Sequence, residues 1–171
     1  QKFLKLFKLG YPSFWQKKNN LIEKIIILLL LPFTFIYYLV SKFDKKLTKT
    51  NKVGVPVISI GNINTGGSGK TPFVIYLVNL LKKEKINSHV VSRGYLGNLR
   101  GPVKVDLKKH SYKDVGDEAL LLAKETTTWV SKNKFEGTLM ATLNGADVVI
   151  LDDGLQNYSI HQNLKIMIVD G

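Results

Sequence analysis

The residues richest in possible chemistry run from Ile58 to Pro72: an apolar stretch, then Asn64-Thr65-Gly66-Gly67-Ser68-Gly69, then Lys70-Thr71-Pro72. A phosphate cradle needs this order of strand, glycine-rich loop and helix start. Glycines let backbone N–H groups turn toward an anion, and the helix N-terminus adds its dipole. In such a loop Lys70 reaches the β- and γ-phosphates of a nucleoside triphosphate, and the Thr71 hydroxyl holds Mg²⁺. Pro72 suits a first helical turn, where its missing N–H costs nothing. The strict pattern places a glycine five residues before Gly69, where this chain has Asn64. Asparagine tolerates a positive φ better than other non-glycine residues, so the loop survives the exchange.

A second constellation, Val148-Val149-Ile150-Leu151-Asp152-Asp153, sets four apolar residues before two acids. That is how a strand delivers carboxylates to Mg²⁺ in P-loop proteins. Taken alone it also fits a strand closed by an Asp-Asp-Gly turn; beside the glycine-rich loop the metal reading is preferred, because Mg²⁺ favours one or two carboxylates plus phosphates. Gly116-Asp117-Glu118 opens a helical pattern, and acids there are equally explained by the helix dipole. Arg93, after an apolar run, could clamp a phosphate or pair with a surface acid, and spacing does not decide. His89, His110 and His161 are read as non-catalytic.

These groups need elements to hold them. Val53–Ile60, His89–Tyr95, Thr127–Lys132, Ala146–Leu151 and Leu164–Val169 read as strands, and Phe73–Leu81 and Asp117–Glu125 as helices. Leu96–Lys113 reads as a polar, turn-rich excursion. Continuous apolar strands alternating with helices predict an α/β, mostly parallel sheet with helices on both faces, as in P-loop NTPases. In such sheets ligands gather at the carboxyl ends of strands. Residues 64–71, 92–95 and 152–154 should therefore meet in one crevice.

The 171 residues carry a net charge of +12, unevenly placed: residues 1–52 hold 11 Lys against Glu23 and Asp44, or +9, leaving +3 for the rest. The basic character thus belongs to a separate N-terminal segment, 1–52, ahead of a nucleotide domain at 53–171. A nucleic-acid surface would instead put cations beside aromatics on the folded domain, so nucleic acid is not expected as a partner. Lysines flanking an apolar stretch suit an anionic membrane surface. That stretch is uncharged from Ile25 to Val40, only 16 residues, and Pro32 interrupts it. A span needs about 20. A helix entering one leaflet, with Phe14, Trp15, Tyr37 and Tyr38 near the headgroups, is preferred over a single span or a buried core helix. The chain has no cysteine, which excludes disulfides and thiolate metal sites. It begins at Gln1, stops at Gly171 just after an apolar run, and is read as the N-terminal part of a longer protein.

In their order, these motifs resemble one family, tetraacyldisaccharide 4′-kinase, the lipid A kinase of Gram-negative bacteria. The resemblance covers nearly the whole chain: Phe14-Trp15 and the apolar helix, Ile60 to Pro72, Val91-Ser92-Arg93-Gly94-Tyr95, Val115 to Glu118, Leu151 to Asn157, and Ile168 to Gly171. The family loop also lacks the first glycine. The resemblance implies ATP-dependent phosphorylation of the 4′-hydroxyl of an acylated disaccharide 1-phosphate, at the cytoplasmic face of the inner membrane. It implies Lys70 and Thr71 on phosphates and Mg²⁺, Asp117 as the base that orients or deprotonates the sugar hydroxyl, and Glu118, Asp152 and Asp153 supporting the metal and that base. Arg93, Tyr95 and Asn157 fall on the substrate side, although position 157 is often His in the family. Family members continue for roughly another domain's length, including a histidine that partners the catalytic Asp, so the chain is expected to be incomplete on its own.

Rival readings lack their own signatures. A partitioning-type ATPase needs a lysine before the paired glycines, where Thr65 stands. A GTPase needs Asn-Lys-x-Asp, and Asn133-Lys134-Phe135-Glu136 ends wrongly. A membrane-anchored module that binds nucleotide without turnover is a third possibility.

Overall fold

The structure is a computed structural model and describes residues 21–62 and 69–169. It divides into two units, one ending at Leu47 and one starting at Thr48. The first contains α1 (Leu21–Leu47), a 27-residue helix with Pro32 inside it. Ile25, Ile27, Phe33, Phe35 and Val40 are among its exposed apolar side chains. Among the described residues no helix is long and apolar enough to cross a membrane.

The second unit is built on a six-stranded sheet. In chain order its elements are β1 (Val57–Asn62), α2 (Lys70–Lys83), β2 (Ser88–Ser92), β3 (Val103–Lys104), α3 (Tyr112–Val115), α4 (Asp117–Ala123), β4 (Thr128–Val130), α5 (Lys134–Leu143), β5 (Val148–Asp152) and β6 (Leu164–Ile168). The strand order is β3-β4-β2-β5-β1-β6. Every pairing is parallel except β3 with β4. The short antiparallel β3 lies within the excursion expected to be turns. The basic tail of the N-terminal segment joins this unit: Asn51 donates its N–H to Ser159 O at 2.9 Å, and His161 donates to Asn51 O at 2.8 Å.

Burial on both faces explains the unbroken apolar strands. Alternate residues of one strand serve opposite layers. Ile60, Val90 and Ile150 pack with Val74 and Val78 of α2 and Leu122 of α4. Val57, Val91, Val149 and Leu151 pack with Ala141 of α5 on the other side. Val149, Ile150 and Leu151 are fully buried, each contributing roughly 1.5–3 kcal/mol of transfer free energy.

Helix α5 has no counterpart among the expected elements. Its ten residues include Gly137, Thr138 and Thr142, weak helix formers that blur the periodicity. The Asn133 carboxamide oxygen holds its start, accepting from Phe135 N at 3.1 Å and Glu136 N at 3.4 Å, while Asn133 Nδ2 donates to Glu136 Oε1 at 2.9 Å. A cap followed three residues later by Glu was the available signal.

Between sheet and α5 lies His89, buried, with Trp129 Nε1–H donating to its Nδ1 at 3.4 Å. Burial, then the Lys104 charge, holds its pKa below the ordinary value. The unfolded chain therefore takes up the proton more readily. Stability from this group is complete above about pH 6.5 and declines as pH falls toward the folded-state value. Thermal melts from pH 7.5 to 5 are expected to show a steeper loss in the wild type than in His89→Gln; equal slopes would discount the imidazole.

Candidate nucleotide-binding site

The carboxyl ends of β1 and β5 form the crevice. The connection from β1 crosses through α2 to β2 on one side, whereas β5 leads to β6 on the other. Connections that depart in opposite directions leave a gap above the sheet. Ile60 pairs with Asp152 in the parallel register, so the acid pair on β5 stands level with the end of β1.

At the start of α2, Gly69 takes φ 73° and ψ 15°, with no atom near its missing Cβ. The left-handed backbone, not space, is what demands glycine there. Phe73 N–H donates to Gly69 O at 3.1 Å, which closes the first turn around Lys70 and Thr71. Lys70 Nζ lies 3.3 Å from Asp153 Oδ1, joining positions 83 residues apart. Asp153 is mostly exposed, so the pair adds little stability. Its value is positional. Asp153 itself has φ 57°, a left-handed conformation that costs a non-glycine residue of order 1–3 kcal/mol and recurs at functional sites. Gly154 N–H, bonded to Ile60 O at 3.2 Å, holds the turn.

Asp152 differs from its neighbour by being buried. Ser92 Oγ donates to its Oδ2 at 3.4 Å. Burial pushes its pKa up, while the charges of Lys134 and Lys70 pull it down. Glu118 belongs to the same electrostatic cluster. Desolvation first, then the Asp152 charge, raises its carboxyl, with Lys70 opposing. The start of α4 thus reaches the crevice. Asp117 is exposed, and its Oδ1 accepts the Glu118 N–H at 3.0 Å.

Arg93 and Tyr95 sit on the loop after β2 and are exposed. That loop and the one entering α4 are locked together. Asn98 N–H donates to Lys113 O and Leu99 N–H to Asp114 O, each at 2.9 Å. A Cβ at Gly116, whose φ is 83°, would lie 2.4 Å from Tyr95 O. Gly116→Ala is therefore expected to cost about 2–4 kcal/mol in urea unfolding; a loss below about 0.5 kcal/mol would mean the loops are not interlocked as described. Asn157 is engaged locally: its Oδ1 accepts from Ser159 N at 3.0 Å and Ser159 Oγ at 2.6 Å.

The other loop residues expected to contact phosphate, Asn64, Thr65, Gly66, Gly67 and Ser68, lie outside the described residues. Among the described residues no three acidic or histidine side chains are grouped to hold a metal by themselves. The oxygen donors at hand (Thr71, Asp152, Asp153, Glu118) fit a hard cation that takes its remaining ligands from phosphate and water, as Mg²⁺ does, and not a protein cage. Lys134 joins this site without a signal in the sequence. It is buried, it donates to Val91 O at 2.9 Å and Asp152 O at 2.6 Å, and desolvation lowers its pKa to about 8.

A mostly parallel α/β sheet whose first strand leads through Gly69 into a Lys-Thr helix start, beside an acid-tipped strand, is the architecture of a P-loop nucleotide-binding protein. The model of the family described as tetraacyldisaccharide-1-P 4′-kinase (LpxK) matches residues 26–171, and the chain belongs to that family. The tetraacyldisaccharide 4′-kinase of Paramagnetospirillum magneticum is 43% identical over 160 residues, covering 94% of this chain and 48% of the relative. The enzyme of that name from Caulobacter vibrioides is 37% identical over 164 residues, covering 96% and 49%. A crystal structure of LpxK from Aquifex aeolicus in complex with ATP superposes with a TM-score of 0.71 at 38% identity, over 83% of this chain and 48% of that one. The chain spans about half the length of the curated relatives it matches.

Proposed function

We propose that this chain is the nucleotide-binding part of a kinase that transfers the γ-phosphoryl group of ATP to the 4′-hydroxyl of a tetraacylated glucosamine disaccharide 1-phosphate, the lipid A precursor. The observation that carries the reading is the 3.3 Å approach of Lys70 Nζ to Asp153 Oδ1, which joins the helix after the glycine-rich segment to the acid-tipped strand. Lys70 and the N–H groups at the start of α2 bind the phosphate tail. Thr71, Asp152 and Asp153, with Glu118 beside them, are the residues that would hold Mg²⁺. When bound, Mg²⁺ neutralises charge on the phosphate oxygens. Asp117 orients the sugar hydroxyl and takes its proton as the new P–O bond forms and the bond to ADP breaks. Arg93, Tyr95 and Asn157 border the acceptor.

Phosphoryl transfer is mainly positioning and charge neutralisation, which suits a site where Lys70 stands beside an acid pair at the end of a strand. The test is transfer of label from γ-labelled ATP in detergent, with and without the acylated disaccharide 1-phosphate, in the whole protein. Lipid-dependent labelling supports the kinase. Phosphate release indifferent to lipid would identify a generic ATPase instead.

The lipid acceptor stays in a bilayer, so the enzyme must come to it. The exposed apolar side chains of α1 and the lysine-rich flanks of the chain support insertion into one leaflet at the cytoplasmic face of the inner membrane. Removing residues 1–45 is expected to lower co-sedimentation with anionic vesicles by about tenfold or more, at about 1 kcal/mol per lost lysine near the surface, with nucleotide binding less affected. Equal partitioning of truncated and intact protein would count against the anchor.

A further inference from the structure

Among the described residues Lys134 is the only buried lysine, and its ammonium donates to two main-chain carbonyls. Their place in the sheet is specific. The β2–β5 ladder ends at Val91 with Leu151. Asp152 therefore lies one residue beyond the last pair on that side, though it still pairs with Ile60 on the β1 side. Lys134 Nζ bridges Val91 O and Asp152 O at that point, so an ammonium continues the lateral tie where the strands' own bonding stops. The ammonium sits on the main chain of an acid at the crevice, and it feels the charges of Asp152, Asp153, Lys70 and Arg93.

A neutral donor could satisfy the same two carbonyls at lower desolvation cost. A cation adds a fixed positive field beneath two acids, together with strong charge-assisted bonds to the backbone that carries them. Helix α5 supplies it from a rigid position, since Lys134 is its first residue and the Asn133 side chain caps that turn.

We infer that Lys134 is a positioning residue for the cation-binding end of the nucleotide site: by tying Val91 O to Asp152 O it fixes the 152–153 backbone, so that both carboxylates meet the phosphate-bound cation at a set distance from Lys70. The inference rests on the nucleotide reading above. Groups that orient metal ligands from behind typically change metal affinity by about 10–100-fold when removed.

The experiment measures binding of a fluorescent ATP analogue across a Mg²⁺ titration in the whole protein, for wild type, Lys134→Arg, Lys134→Met and Lys134→Gln. Circular dichroism sets the folded fraction of each. The Mg²⁺ concentration for half-maximal binding is expected to rise about tenfold or more in Lys134→Met, with nucleotide affinity recovering at saturating Mg²⁺. Lys134→Arg, which keeps charge and donors, should restore most of the loss. A folded Lys134→Met protein with the wild-type Mg²⁺ requirement overturns the inference, as does failure of arginine to do better than methionine. Should the methionine variant not fold, the glutamine variant decides, because its uncharged carboxamide nitrogen ends one bond short of the ammonium's position and does not bridge both carbonyls: a raised requirement supports the role and an unchanged one overturns it. Loss of binding in Lys134→Met that saturating Mg²⁺ does not recover shows a merely structural residue and overturns the inference too. If the wild type binds no ATP at any Mg²⁺ concentration, the nucleotide reading fails first and takes this inference with it.

Discussion

Asp117→Asn is expected to slow phosphoryl transfer by about 10²–10⁴-fold, the usual worth of a positioned general base, while ATP affinity stays within about twofold of wild type. The substitution is nearly isosteric. In the native chain Asp117 Oδ1 accepts the Glu118 N–H at 3.0 Å, and the asparagine oxygen can accept the same bond. The start of α4, and with it Glu118, should therefore hold its place. What is lost is the negative charge and the capacity to take a proton from the attacking hydroxyl. Asp117 is exposed, so an incoming hydroxyl can reach it. A single-turnover measurement separates the effects, since a base mutant binds normally and fails in the chemical step. Wild-type turnover in the Asp117→Asn enzyme would remove Asp117 from the mechanism and shift attention to Glu118.

The second large effect is expected at Lys70. Lys70→Met should weaken ATP–Mg²⁺ binding by about a hundredfold or more, which corresponds to roughly 2.7 kcal/mol. The methionine fills similar space, so α2 keeps its packing through Val74 and Val78. The charge it removes is the one that stands 3.3 Å from Asp153 Oδ1. Without it the phosphate tail meets Asp152, Asp153 and Glu118 with one fewer cation to offset three acids. Charge-assisted bonds to phosphate are about twice as strong as neutral ones, and the helix dipole alone is worth typically about 0.3–1 kcal/mol. The dipole cannot replace the ammonium. Calorimetry at fixed Mg²⁺ provides the number. Wild-type affinity in Lys70→Met would dismantle the site as described, because the Lys70–Asp153 contact is what joins α2 to the acid pair.

The two predictions are separable. Lys70 sits on α2 and should alter binding, whereas Asp117 sits on α4 and should alter the chemical step. A protein in which both variants lost only stability would have neither function. Urea melts run alongside the assays guard against that reading, since surface substitutions of this kind usually move stability by no more than about 0.5 kcal/mol.

Much of this architecture follows from local sequence, and the reasons are particular. Gly69 before Lys70-Thr71 needs a left-handed turn that few residues allow, and the structure has φ 73° there. Val148 to Leu151 had to be a strand buried on both faces, because four apolar residues in a row suit neither a half-exposed strand nor a short amphipathic helix. The two acids that follow emerge at its carboxyl end for the same reason. Membership of the kinase family was also legible, since the motifs recur in order along the chain.

Other features depended on the folded chain. Helix α5 carries weak formers, and it is stable because it covers Val91, Val149 and Leu151; no local signal outweighs that tertiary burial. Lys134 looks like an ordinary surface lysine in sequence. Its role exists only because α5 crosses the sheet where β2 and β5 cease to pair, which places its ammonium on two carbonyls 43 and 18 residues away. Asn157, placed by its sequence position on the substrate side, also holds the local turn at Ser159 through its side-chain oxygen. Sequence by itself determined the family and the left-handed turn at Gly69 that starts α2, because both are carried by short strings whose conformation is set locally. Tertiary structure alone decided which distant groups support them, because hydrogen bonds between strands and a helix from another part of the chain depend on register, and register is a property of the packed sheet.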